Sequence, residues 1–294
     1  QTCALPICAL ETARCQIAAL VGAEPSEVIF TSGGTEANNL AIKGLLVNSQ
    51  VKKIFIPKTE HPSVLAAALS LKDPLAIEYL DVDSQGLVDF EIAPSRLGAG
   101  LNFVSVMMAN NETGVIQPIA KLSEYFKAIH SAIILHTDAV QALGKIPVDI
   151  ATLNVDMISL SSHKIYGPKG VGALVARNPE PLTPLLFGGS QEHGVRAGTE
   201  NVPAIIGFGK AAEIAQQSLM TRSESLKQLR DYLEGQLRSQ IPGAMLFSEQ
   251  VKRLPNTVQF AIPKTDGEMM LMQLDKKGCA VSSGSACANG GDRK

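Results

Sequence analysis

Short runs of β-branched and other apolar residues alternate along the chain with longer stretches in which apolar positions recur at helical spacing. That alternation predicts an α/β fold, a mainly parallel sheet flanked by helices. Residues 9–21 have helical spacing and are stopped by Gly22; 27–31 read as a strand and 36–46 as a helix, so the opening unit is strand, glycine turn, helix. Further strands are predicted over 53–56, 76–80, 102–108, 132–136, 156–160 and 171–175, with helices filling the gaps. From about 201 to 240 the pattern is long and helical, and a shorter mixed segment, 257–280, leads into a tail rich in serine and glycine. A change of domain is placed near Leu219, giving a large domain over 9–218 and part of a smaller α+β domain over 219–294.

Composition narrows the class of ligand. A chain of 294 residues has room for about two domains with a well-buried core. Apolar residues make up 45% and charged residues 18%, the profile of a globular enzyme and not of a disordered chain. With 26 basic against 28 acidic residues the formal charge is −2, too small for the broad positive field that nucleic acid or an anionic membrane requires. Small molecules are therefore the expected ligands. No apolar run approaches the roughly 18 residues of a membrane span and no secretory layout opens the chain, so a cytoplasmic location is expected. The five cysteines, Cys3, Cys8, Cys15, Cys279 and Cys287, contain no CxxC pair; neither a disulfide framework nor a metal site is expected, and a single reactive thiol stays open. Gln1 to Ile7 and Asp292 to Lys294 read as translations of sequencing-adapter strings. Residues 1–8 are accordingly expected to be adapter-derived or disordered, and the chain to be a fragment open at both ends.

Four motifs carry chemistry. In TSGGTEANN, Gly33, Gly34 and Thr35 lie between a strand and a helix start, where unpaired N–H groups and the helix dipole attract a phosphate. The string has neither the Gly-Lys-Ser/Thr of a nucleotide loop nor dinucleotide spacing, and an ordinary helix cap fits it equally. In SSHKIYGPKG a β-run ends at Ser161, Ser162, His163 and Lys164. Strand ends of open α/β sheets hold ligands, and a lysine that loses hydration there becomes the free amine that forms an imine with an aldehyde; an ordinary surface lysine is the alternative. In HTDAVQALGK, Asp138 follows an apolar run at another strand end, with Gln141 nearby. A carboxylate about 4 Å from a pyridinium nitrogen gains on the order of 4 kcal/mol at an effective dielectric of about 20, enough to keep the ring protonated; an N-capping aspartate is the competing reading. In VSSGSACANGG, Cys287 sits among small turn-forming residues, and the chain from Ser282 can carry it at most about 16 to 18 Å. It reads as a mobile nucleophile or as a small neutral turn residue.

In that order, the phosphate cradle, carboxylate, lysine and flexible cysteine resemble the cysteine desulfurases of the aminotransferase class V family. The likeness runs from about Cys8 to Gly291, through EVIFTSGGTEANNLAIKG, TEHPSV, NNETGVIQPI, HTDAVQALGKIPVD, SSHKIYGPKGVGAL, GGSQEHGVRAGTENV and SSGSACANG. The last string is similar to the iron–sulfur assembly type. The resemblance implies a homodimeric pyridoxal 5′-phosphate enzyme of the aspartate aminotransferase fold (fold type I). It would remove sulfur from L-cysteine, leave L-alanine, and pass a persulfide to a sulfur-acceptor protein, an iron–sulfur scaffold or a tRNA-thiolation relay.

By the same resemblance, Lys164 would bind the cofactor and act as base, Asp138 would face its ring nitrogen, and Gln141 its ring hydroxyl. His61 would stack on the ring, and it or water would deprotonate Cys287, which attacks the substrate sulfur. Gly34, Thr35, Ser161 and His163 would hold the phosphate with Thr199 of the partner subunit, and Asn111 would contact cofactor and substrate. Taken singly, His61, Asn111 and Thr199 also fit ordinary helix-start and turn positions. The arginine with which the family clamps the substrate carboxylate has no counterpart here, nor does its N-terminal strand, so weak cofactor binding and slow turnover are expected. Another enzyme of the fold, a selenocysteine lyase or an aminotransferase, and a non-catalytic scaffold are the competing readings.

Overall fold

A computed structural model describes residues 4–45, 51–71, 76–92 and 94–284. It opens with α1 (Ala4–Val21), β1 (Val28–Thr31) and α2 (Gly34–Asn39), which runs on into a π-helical turn, Leu40–Gly44. Then follow β2 (Val51–Pro57), α3 (Pro62–Leu69), β3 (Ala76–Leu80), β4 (Leu101–Ser105), α4 (Ile119–Ile129), β5 (Ile133–Asp138), α5 (Ile150–Leu153), β6 (Met157–Ser161) and β7 (Gly172–Ala176). The long α6 (Val202–Gln240), a two-residue pair of strands β8 (Met245–Leu246) and β9 (Phe260–Ala261), and α7 (Gly267–Lys276) complete it.

The principal sheet has seven strands in the order β1-β7-β6-β5-β4-β2-β3. From β6 to β3 every neighbouring pair is parallel, whereas β7 runs antiparallel to both β1 and β6. This is the mainly parallel, helix-flanked sheet that the alternating pattern predicts. β1, β6 and β7 are buried along their whole length, as near-continuous apolar strands covered on both faces are. Alternation along β2 shows the two cores: Phe55 packs with Ile17, Phe126 and Phe208 of α1, α4 and α6, while Ile54 and Ile56 pack with Leu40 and Val64 on the α2 and α3 side.

Several boundaries differ from expectation. Helix α1 begins at Ala4, five residues ahead of the helix expected from 9. Helix α6 matches the long helical stretch expected from about 201 to 240 and passes through Leu219 without a break. The strand expected over 102–108 leaves the ladder after Ser105, although Val106 and Met108 still donate to the carbonyls of His136 and Asp138. The last residue of the helix expected over 36–46 lies outside the described residues.

Candidate active site

Parallel strands present their C-terminal ends along one edge of a sheet, and here those ends surround a cavity of about 350 Å³. β5 delivers Asp138 in its last position. β6 ends at Ser161 and passes into a 3₁₀ turn, Ser162–Ile165, that presents His163 and Lys164 before Tyr166 closes it at φ 66°. The start of α2 supplies Gly34 and Thr35, and the segment after β4 supplies Asn111. Pro62 opens α3 in its favoured first position, which leaves His61 as the capping residue with Nδ1 accepting from Ser63 N. The cavity thus brings together Gly34, Thr35, His61, Asn111, Asp138 and Gln141 with Ser161, His163 and Lys164.

Close packing holds this edge. A Cβ on Gly34 would stand 2.7 Å from Val140 Cγ2. One on Gly172 of β7 would stand 2.6 Å from Leu160 O and 2.7 Å from Gly33 Cα, so the absence of a side chain there lets the glycine turn settle on the sheet.

Thr199 is not among the cavity's residues. It lines a separate space of about 230 Å³ with Glu192 and Arg196. Cys287 lies outside the described residues, but Ser282 and Gly284, just ahead of it, line the cavity.

The electrostatics centre on two buried carboxyl groups. Asp138 accepts from Asn38 Nδ2 at 2.7 Å and from Val140 N at 2.9 Å. Burial raises its pKa, against the opposing pull of those hydrogen bonds and of the His61 and Lys164 charges. Glu60 is more strongly affected: burial and the neighbouring Asp138 charge hold its pKa well above the carboxylate range, despite a hydrogen bond from Met107 N. Two carboxyls close together in a dry site resist ionising together, and the upward push is the stronger on Glu60. Its Oε2 has no partner among the described residues.

Other groups are set by their neighbours. Lys145 is lowered to about 8 by burial and by the Lys164 charge. It donates to Gln141 O at 2.8 Å and to Gln141 Oε1 at 3.2 Å, which leaves the Gln141 amide nitrogen as the free end. His163 is paired with Ser161 Oγ at 2.9 Å, and burial followed by three lysine charges lowers its pKa. His136 plays no part in the cavity: it is held between Ser105 and Ser159 at 2.9 Å each and stacks on Phe103, and burial lowers its pKa to about 3.

Sequence reasoning passed over Asn38, Ser63 and Glu60. Asn38 and Ser63 occupy helix positions that look like plain interior and first-turn residues, and Glu60 sits in the polar run Lys58-Thr59-Glu60-His61, where nothing marks it as buried.

An open, mainly parallel sheet with a carboxylate and a lysine at the ends of adjacent strands is the framework of the fold type I enzymes. The chain belongs to the aminotransferase class-V family, whose model matches residues 6–291. It is similar to the cysteine desulfurase IscS of Dictyoglomus turgidum, 45% identical over 284 residues that cover 96% of this chain and 72% of that protein. Among solved structures, a NifS-like protein from Rickettsia africae is 37% identical with a TM-score of 0.88, covering 96% of this chain and 77% of the other. SspA, solved in complex with cysteine, is 31% identical with a TM-score of 0.81, covering 97% and 79%. Among the described residues no helix is long and apolar enough to cross a membrane.

Proposed function

We propose that this chain is a cysteine desulfurase, which removes sulfur from L-cysteine, releases L-alanine and holds the sulfur as a persulfide on Cys287. The observation that carries this reading is one cavity in which Asp138 and Lys164 both take part while Ser282 and Gly284, on the approach to Cys287, line the same space.

The donor set fits pyridoxal 5′-phosphate. Lys164 supplies an amine for the aldehyde, Asp138 a buried carboxylate for the ring nitrogen, and Gln141 an amide N–H for the ring oxygen. The start of α2 at Gly34 and Thr35, with Ser161 and His163, supplies donors for the phosphate. When bound, the cofactor draws electron density away from the substrate Cα.

The residues of the chain do the rest. Asp138, paired to Asn38 and Val140, would fix the ring's charge, and His61, lining the same cavity, would stack on the ring. Lys164 would hold the cofactor's aldehyde, and its Nζ, when free, would take the substrate Cα proton. Cys287 attacks as a thiolate: a sulfur–sulfur bond forms, the substrate Cβ–S bond breaks, and its electron pair stays on carbon, which takes up a proton to become L-alanine. Asn111 meets cofactor and substrate. The separate position of Thr199, beside Arg196, supports a homodimer in which Thr199 of the partner subunit reaches the phosphate end. The persulfide passes to a sulfur-acceptor protein, an iron–sulfur scaffold or a tRNA-thiolation relay, in the cytoplasm.

Purified protein supplied with pyridoxal phosphate and L-cysteine should yield L-alanine and reducible sulfur in equal amounts. Cys287→Ala should abolish sulfur release and Lys164→Ala both products; unchanged sulfur release from Cys287→Ala would refute the reading, and a keto-acid product would make the chain an aminotransferase.

A further inference from the structure

Behind the cavity wall four side chains are joined by hydrogen bonds whose direction is fixed from one end. Asp138 Oδ2, an acceptor, takes its bond from Asn38 Nδ2 at 2.7 Å. The same amide nitrogen donates to Ser63 Oγ at 2.8 Å. Turning the Asn38 amide over would set its oxygen against a carboxylate oxygen at that distance, so the aspartate dictates which way the amide faces. Ser63 Oγ, already an acceptor, has one proton to give, and His61 Nδ1 lies 2.7 Å away. The backbone N–H of Ser63 donates to the same ring nitrogen at 3.1 Å.

Two donors therefore converge on Nδ1. From this geometry we infer that neutral His61 is held with its proton on Nε2, that Ser63 is the positioning residue which sets this tautomer, and that His61 meets the bound molecule as a hydrogen-bond donor and not as a base. A proton on Nδ1 would point at the Ser63 N–H and leave the hydroxyl without an acceptor. Nε2 makes no hydrogen bond to the described residues, and the ring lines the cavity, so the N–H is free for an acceptor atom of the ligand. The lone pair of the ring, on Nδ1, is then engaged by Ser63 and is not free to take the proton of the Cys287 thiol. The inference rests on the cavity being the reaction site, but the tautomer can be measured without any reaction.

The test uses the full chain labelled with ¹⁵N-histidine, without cofactor, at a pH where the rings are neutral. Long-range ¹H–¹⁵N correlation separates protonated from unprotonated ring nitrogens, and the His61 signals are those lost in His61→Gln. The expected spectrum has Nε2 protonated and Nδ1 bare. Ser63→Ala leaves the longer backbone bond as the only donor to Nδ1, so the two nitrogen shifts should move part of the way toward each other, and Ser63→Thr, which keeps a hydroxyl, should restore them. A protonated Nδ1 in the native chain, or a Ser63→Ala spectrum identical to the native one, overturns the inference. A chain that shows the expected tautomer yet makes no alanine from cysteine would instead refute the proposed activity.

Discussion

Arg14 of α1 grips Glu192, 178 residues further along the chain, through hydrogen bonds of 2.9 and 2.8 Å. Both side chains are buried, at 8% and 3% exposure, and the same carboxylate accepts from Phe30 N while Arg14 donates to Val28 O. One ion pair thus ties the first helix and first strand to the segment that carries Arg196 and Thr199. It also holds Glu192 and His193 at φ 46° and 58°, a left-handed conformation that costs energy for residues with side chains.

Arg14→Met is therefore expected to cost about 3–5 kcal/mol, because it leaves a buried carboxylate without its counter-charge. Adding Glu192→Gln should recover much of that loss. Denaturant unfolding of the two variants checks it; a single variant within about 1 kcal/mol of the native chain would mean the pair is not what holds the segment.

Glu60 makes stability depend on pH in a direction opposite to that of a paired carboxylate. Its native pKa is raised, so above the ordinary carboxyl range the unfolded chain has released a proton that the folded chain keeps. Stability from this group falls as pH rises, by about 1.4 kcal/mol per unit, until the native group ionises too. Glu60→Gln keeps an acceptor for Met107 N and cannot ionise, so it should gain on the native protein as pH rises above the ordinary carboxyl range. Parallel stability profiles for the two would show a native Glu60 already charged.

His136 acts on the acid side. Its native pKa of about 3 lies below that of a free histidine, so between pH 6.5 and 3 the unfolded chain binds a proton that the folded chain refuses. Its contribution falls as pH falls, again by about 1.4 kcal/mol per unit. His136→Asn should flatten the acid limb of the stability curve, whatever it costs at neutral pH through Ser105 and Ser159. An unchanged slope would contradict a buried neutral ring.

Lys145 is expected to matter for cofactor affinity without touching the cofactor. It ties down the Gln141 carbonyl oxygens, and Lys145→Met frees the side-chain amide to turn. Loss of one well-oriented hydrogen bond, about 1 to 1.5 kcal/mol, corresponds to roughly tenfold weaker binding. Titration with pyridoxal phosphate followed by absorbance measures it; an unchanged dissociation constant would remove Lys145 from the site's support.

Much of this could be seen in the sequence because strands and their ends are local. β3 falls on the residues its apolar run marks, and Asp138 and Lys164 come shortly after apolar runs, at or just beyond the ends of β5 and β6. The support beneath the site could not be seen, because it depends on which strands and helices become neighbours. Asn38 and Asp138 are 100 residues apart, and only the packing of α2 against the end of the sheet makes an interior helix asparagine the partner of a strand-end aspartate. Glu60 gives no sign of its raised pKa until the fold buries it and places Asp138 nearby. The long helix α6 was legible too, since its apolar spacing persists from about 201 to 240.

Gly172 touches no part of the cavity, yet any side chain there would collide with two separate stretches of backbone. A survey of every single substitution would score position 172 as severely as position 164, the one for want of room and the other for want of an amine. In this chain, a map of indispensable positions is not a map of reacting ones.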